Sequence, residues 1–153
     1  MATARPRITS PDAWIGPEIQ QDPAWICTLD GSDIAEVDAA LARVKREGLR
    51  IPFDSAAFPL PRLRAKLDRI LDEIENGRGF QLIRGIPRHR YSDGDCELIY
   101  WGITSYFGVP VSQNARGHLL GHVRDEGRQI DDPNARAYQT NVRMDFHTDM
   151  LPI

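Results

Sequence analysis

Phe146-His147-Thr148-Asp149 sets an imidazole and a carboxylate two residues apart. In an extended segment, side chains two apart share a face, so His147 and Asp149 would project together while Thr148 points away. Such a pair supplies two of the three ligands of the 2-His-1-carboxylate triad that holds non-haem Fe(II). The rival metal pair, His118 and His122, has the spacing of a zinc-binding helix. However, Gly117 and Gly121 flank it, and no glutamate follows His118 to act as a base. His89, in Pro87-Arg88-His89-Arg90, reads as a solvated turn residue. Cys27 and Cys96 lie far apart, with neither metal-type spacing nor an adjacent histidine for nucleophilic work. Gly77-Arg78-Gly79 precedes a strand pattern instead of opening a helix, so it does not cradle phosphate. A His-x-Asp tripeptide by itself is more often a hydrogen-bonded structural pair. Its meaning depends on the elements around it.

Those elements are legible in part. A helix is predicted over 33–47, where Ile34, Val37, Leu41 and Val44 form one apolar stripe. Ser32 or Asp33 is placed to cap it, with Asp33 and Glu36 at capping-box spacing. A second helix is predicted over 61–76, with Pro61 at its first position and Leu63, Leu67, Ile70, Leu71 and Ile74 on the buried face. Residues 80–84 read as a strand closed by Gly85. A third helix opens at Ser92 or Asp93, carries Cys96, Ile99, Tyr100, Ile103 and Phe107, and stops at Gly108. Residues 109–111 and 119–123 are strand candidates, and a polar loop over 125–134 leads towards His147. Helices first and strands last is an α+β pattern. Ahead of it, residues 1–24 hold four prolines with Trp14 as the main apolar anchor, joined by Trp25 just beyond. They read as an irregular arm pinned by its tryptophans or as a partly disordered tail.

Composition bounds the function classes. At 153 residues and 41% hydrophobic, the chain is long enough for one domain with a core. A net charge of −3, with arginines interleaved among acids, gives no footprint for nucleic acid. No stretch approaches the roughly 18 apolar residues of a membrane span, and no signal peptide opens the chain. The expectation is a cytoplasmic protein without nucleic-acid or membrane partners.

Read in order, several segments resemble the taurine dioxygenase (TauD/TfdA-like) family. They are residues 77–87, Tyr100-Trp101-Gly102-Ile103, residues 107–114 and Leu120-Gly121-His122-Val123-Arg124-Asp125. Ala137-Tyr138-Gln139-Thr140-Asn141 and Phe146-His147-Thr148-Asp149 complete the set. The likeness covers about residues 25–149. It implies the N-terminal part of a double-stranded β-helix (jelly-roll, clavaminate synthase-like) domain over 25–153, with flanking helices. It further implies Fe(II), with 2-oxoglutarate as co-substrate, and O2-dependent oxidation of a small organic substrate with release of succinate. His147 and Asp149 would be metal ligands, and a partner should orient the His147 ring. Gln139, Thr140 and Asn141 would face co-substrate or substrate, or else satisfy loop backbone groups. Gln113 and Asn114 have a similar claim.

The family's distal histidine and its 2-oxoglutarate-binding arginine follow the His-x-Asp pair, whereas nothing here follows Ile153. The expectation is therefore a part of a dioxygenase, inactive alone. A non-catalytic remnant serving as an interaction module is the alternative.

Overall fold

The computed structural model describes residues 8–114, 116–133 and 139–143. The chain divides into two units, Met1–Pro110 and Val111–Ile153. In the first, α1 (Gly16–Ile19) and a 3-10 turn (Pro23–Trp25) lead to β1 (Ile26–Thr28) and α2 (Gly31–Arg46). Then follow α3 (Arg64–Glu75), β2 (Leu82–Arg84), a 3-10 turn (Arg88–Arg90) and α4 (Asp93–Thr104). This is a small α+β arrangement.

The helix ends show how sequence chemistry is spent. Asp30 caps α2, its carboxylate accepting from Ser32 N at 2.8 Å and Asp33 N at 3.1 Å. Asp33 reciprocates by accepting from Asp30 N at 2.9 Å, so the capping box is Asp30–Asp33 and not Asp33–Glu36. Glu36 instead accepts from Arg62 N at 3.0 Å and Leu63 N at 2.8 Å, satisfying amides at the start of α3. Pro61 accordingly lies in the turn before α3 and not in its first turn. Lys66, from α3, returns to the α2 cap and donates to Asp33 and, at 3.2 Å, to Asp30. On α4 the predicted Ser92 cap is present, with Asp95 closing the box. Lys45 joins α2 to α4 by donating to Asp95 at 2.7 Å.

Between these helices lies the core. Val37 and Val44 of α2, with Phe58, Leu60, Leu63, Leu67 and Ile99, are almost wholly excluded from solvent. Each such side chain contributes about 1.5–3 kcal/mol by leaving water. Gly102 of α4 lets the Phe58 ring approach closely, since a Cβ there would lie 2.3 Å from Phe58 Cγ. Trp101 sits buried beside it, its indole N–H donating to Phe53 O at 2.6 Å.

β1 and β2 pair in parallel, with Ile26 opposite Leu82, Cys27 opposite Ile83 and Thr28 opposite Arg84. Cys27 and Ile83 pack on the core. Gly85 turns the chain after β2 at φ 107°, where a Cβ would lie 2.7 Å from Leu29 O. Glycine is required there. Sequence periodicity missed β1 because three residues are too few to show alternation. Both tryptophans near the arm meet Phe80, Trp14 at 5.1 Å and Trp25 at 6.0 Å between ring centroids. Trp14 also donates to Arg78 O at 3.0 Å.

In the second unit the described residues form no α-helix and no β-strand. The strands expected over 109–111 and 119–123 are not formed among the described residues. Val109, Val111 and Val123 are 90%, 70% and 78% exposed. β propensity alone does not make a strand, which needs a neighbouring backbone to pair with. Among the described residues, no helix is long and apolar enough to cross a membrane.

Candidate functional site

His147 and Asp149 lie outside the described residues. The segment that precedes them in sequence, 139–143, is described and is held to the loop before it. Glu126 N donates to Gln139 O at 2.9 Å, and the Gln139 side-chain amide donates to Glu126 Oε2 at 2.8 Å. One residue pair is thus joined through both backbone and side chain. Thr140 is buried, and its hydroxyl accepts from Val142 N at 3.4 Å. Asn141 is exposed. Of the three residues expected near the co-substrate, Gln139 spends its amide on Glu126, Thr140 turns inward and Asn141 meets solvent. Sequence reading did not single out Glu126. Its partner is 13 residues away across a polar loop, beyond any helical or strand periodicity.

Gln113 and Asn114 organise a second loop. Gln113 N donates to His118 O at 2.7 Å, and its side-chain amide donates to Val111 O at 3.0 Å. Asn114 Oδ1 accepts from Arg116 N at 3.0 Å and His118 N at 3.2 Å. Two donors on that oxygen fix the amide orientation, so Nδ2 is the donor in the 3.0 Å contact with His118 Nδ1. The neutral His118 ring therefore carries its proton on Nε2. The stretch from His118 to His122 is not helical, so the spacing does not aim both rings at one point as it would on a helix.

His89 is exposed in the Arg88–Arg90 turn, as expected. Cys27 and Cys96 are free thiols, partly buried in the first unit. Among the described residues, no three His, Cys, Asp or Glu side chains gather to hold a metal ion.

The displaced protonation equilibria identified among the described residues belong to the scaffold. Hydrogen bonds from Ser32 and the Asp33 amide, then Lys66, hold Asp30 well below the usual carboxylate range. The hydrogen bond to Asp33 raises Lys66. Lys45 and then Ser92 lower Asp95. Burial, followed by the hydrogen bond it donates to Asp38, pushes the Tyr91 phenol up to about 12.

An α+β scaffold with a His-x-Asp segment is common to many proteins, and the relatives narrow the class. No family model matches the chain. It is 26% identical over 144 residues to FR-33289 synthase of Streptomyces rubellomurinus, which covers 93% of this chain and 42% of that protein. It is 30% identical over 146 residues to the taurine hydroxylase-like protein SAT17 of Stachybotrys chartarum, covering 90% of this chain and 38% of that one. The chain is thus similar to a taurine hydroxylase-like protein over nine-tenths of its own length. It spans about two-fifths of the length of the curated relatives it matches.

Proposed function

We propose that the chain carries part of an Fe(II)- and 2-oxoglutarate-dependent dioxygenase of the TauD-like family. The observation that carries this is its similarity, over nine-tenths of the chain, to a taurine hydroxylase-like protein. In this reading, residues 25–153 are the front of a jelly-roll domain and residues 1–24 its arm, in a cytoplasmic protein. The donor set fits the metal: a neutral imidazole at 147 and a carboxylate at 149 suit Fe(II) better than they suit a soft, thiolate-preferring ion. When bound, iron with 2-oxoglutarate supplies the O2-dependent oxidation of a small organic substrate, usually its hydroxylation, with succinate and CO2 as coproducts. His147 and Asp149 hold the metal, and Asn141, the exposed member of 139–141, faces co-substrate or substrate.

Anaerobic Fe(II) titration of residues 1–153 tests the reading. Wild type is expected to bind weakly, because two protein ligands leave the triad incomplete. His147→Ala and Asp149→Ala are each expected to abolish that binding, and unchanged binding in both overturns the assignment. Succinate formation by this polypeptide is expected to stay at background. Formation that disappears in His147→Ala would show that other residues of the chain complete the centre.

A further inference from the structure

We infer that the arm over residues 8–25 is a strap that opens and closes on the first unit, kept close to balance by the guanidinium of Arg78. No residue from 8 to 25 is buried, and the single turn of α1 sends no side chain into the core. The arm is held instead by discrete contacts gathered on Arg78, Phe80 and Gln81. The Trp14 indole donates to Arg78 O at 3.0 Å, and the Trp14 and Trp25 rings both pack on Phe80. Gln81 Nε2 donates to Ala24 O at 3.0 Å, and Arg78 Nη2 lies 3.6 Å from Asp22 Oδ2.

Closing is costly at one atom. Arg78 Nη1 is shut off from solvent with no acceptor among the described residues. An N–H group buried in this way gives up its hydration and gains nothing in return. On the body side, Arg78 Nε lies 2.9 Å from Glu73 Oε1, a contact that does not involve the arm and survives opening. The arm's own ion-pair partner, Asp22, is 55% exposed and more distant, so it contributes little. The guanidinium lies between Glu73 and Asp22, and opening returns Nη1 to water at the expense of two hydrogen bonds and the packing on Phe80. A segment with so few apolar contacts opens by itself, before the core unfolds. Open, it bares Phe80 two residues ahead of Leu82, which is already 40% exposed.

The test is indole N–H hydrogen exchange, followed by NMR on the full 153-residue chain. Trp14 Nε1 is bonded across the strap to Arg78 O, whereas Trp101 Nε1 is bonded within the core to Phe53 O. The Trp14 indole is expected to exchange at least about a hundredfold faster than that of Trp101, yet more slowly than a free indole. Phe80→Ala should speed Trp14 exchange about tenfold and leave Trp101 unchanged. Arg78→Met removes the orphaned nitrogen, while Glu73 Oε1 keeps the backbone amide of residue 78 as its donor. It should slow Trp14 exchange about threefold or more, and Asp22→Asn should shift it less than about twofold. The Trp101 rate in each variant reports the fold. If Arg78→Met disturbs that rate, Arg78→Gln, which also lacks the nitrogen, takes its place. Equal rates for the two indoles, or a Trp14 indole as fast as a free one, overturn the strap. With the Trp101 rate intact, unchanged or faster Trp14 exchange on replacing Arg78 overturns the role given to its guanidinium. Loosening by Asp22→Asn as large as that by Phe80→Ala also overturns it, by showing that charge holds the arm.

Discussion

Residues 8–110 are ordered by contacts that run far along the chain, whereas the described part of 111–143 is ordered by loops closing on themselves. In the first unit Glu36 caps a helix that begins beyond residue 60, and Lys66 returns to the cap at Asp30. Phe58 seats against Gly102. In the second, Asn114 holds His118 and Glu126 holds Gln139, over four and 13 residues. The first unit supplies a core, and the second carries the segment where metal chemistry is expected. Stability and the proposed chemistry thus belong to different stretches of the chain. This accords with functional residues being drawn from the less tightly packed parts of a protein.

The contrast breaks most readily at Phe58. Phe58→Ala removes a fully buried ring and is expected to cost about 3–5 kcal/mol in denaturant unfolding. Amide exchange over 139–142 should be unaffected, and acceleration there would show that the two units share their stability. Glu36→Ala comes next. It strips the acceptor from two amides at the start of α3 and is expected to cost about 1–2 kcal/mol. Glu36→Gln should recover most of that loss, whereas a deficit as large as alanine's would assign Glu36 a role through its charge.

Smaller effects come from pH. Asp30 and Asp95 are lowered in the folded state, so their contribution is present above about pH 4 and lost as the pH falls below that. Lys66 and Tyr91 are raised, so theirs is present below about pH 10 and lost as the pH climbs through the Tyr91 value of about 12. Thermal melts should show a plateau between these limits, and Asp30→Asn should flatten its acid edge. An acid edge as steep as wild type in that variant would place the linkage elsewhere. The smallest effect sharpens the contrast from the other side. Val123→Ser, at a position 78% exposed, should change stability by no more than about 0.5 kcal/mol. A loss of 2 kcal/mol would reveal packing in the second unit that its exposure does not show.

The same division governs what could be read from sequence. α2 and α4 were legible because an apolar stripe and a nearby cap act within a few residues, and Ser92 capped α4 as expected. The α2 cap was displaced because Asp30, Ser32 and Asp33 all compete for one role. Only packing shows Lys66 reinforcing Asp30 with Asp33. Glu36 illustrates the limit: its partners at 62 and 63 share no periodicity with it. β1 was too short to show alternation, and residues 109–111 and 119–123 had strand composition without a pairing partner among the described residues. The TauD-like resemblance survived because it depends on the order of many segments and not on any one element. The roles proposed for His147 and Asp149 rest on that order and on their spacing.

The indole of Trp101, buried in the core, and those of Trp14 and Trp25, packed on Phe80, give the chain a particular optical character. These are all three of its tryptophans, and all precede residue 111. Tryptophan emission is therefore a spectrum of the scaffold alone, with a shielded emitter in the core and two more solvent-accessible ones at the arm. Denaturant should redden the arm signal before the core signal if the arm lets go first.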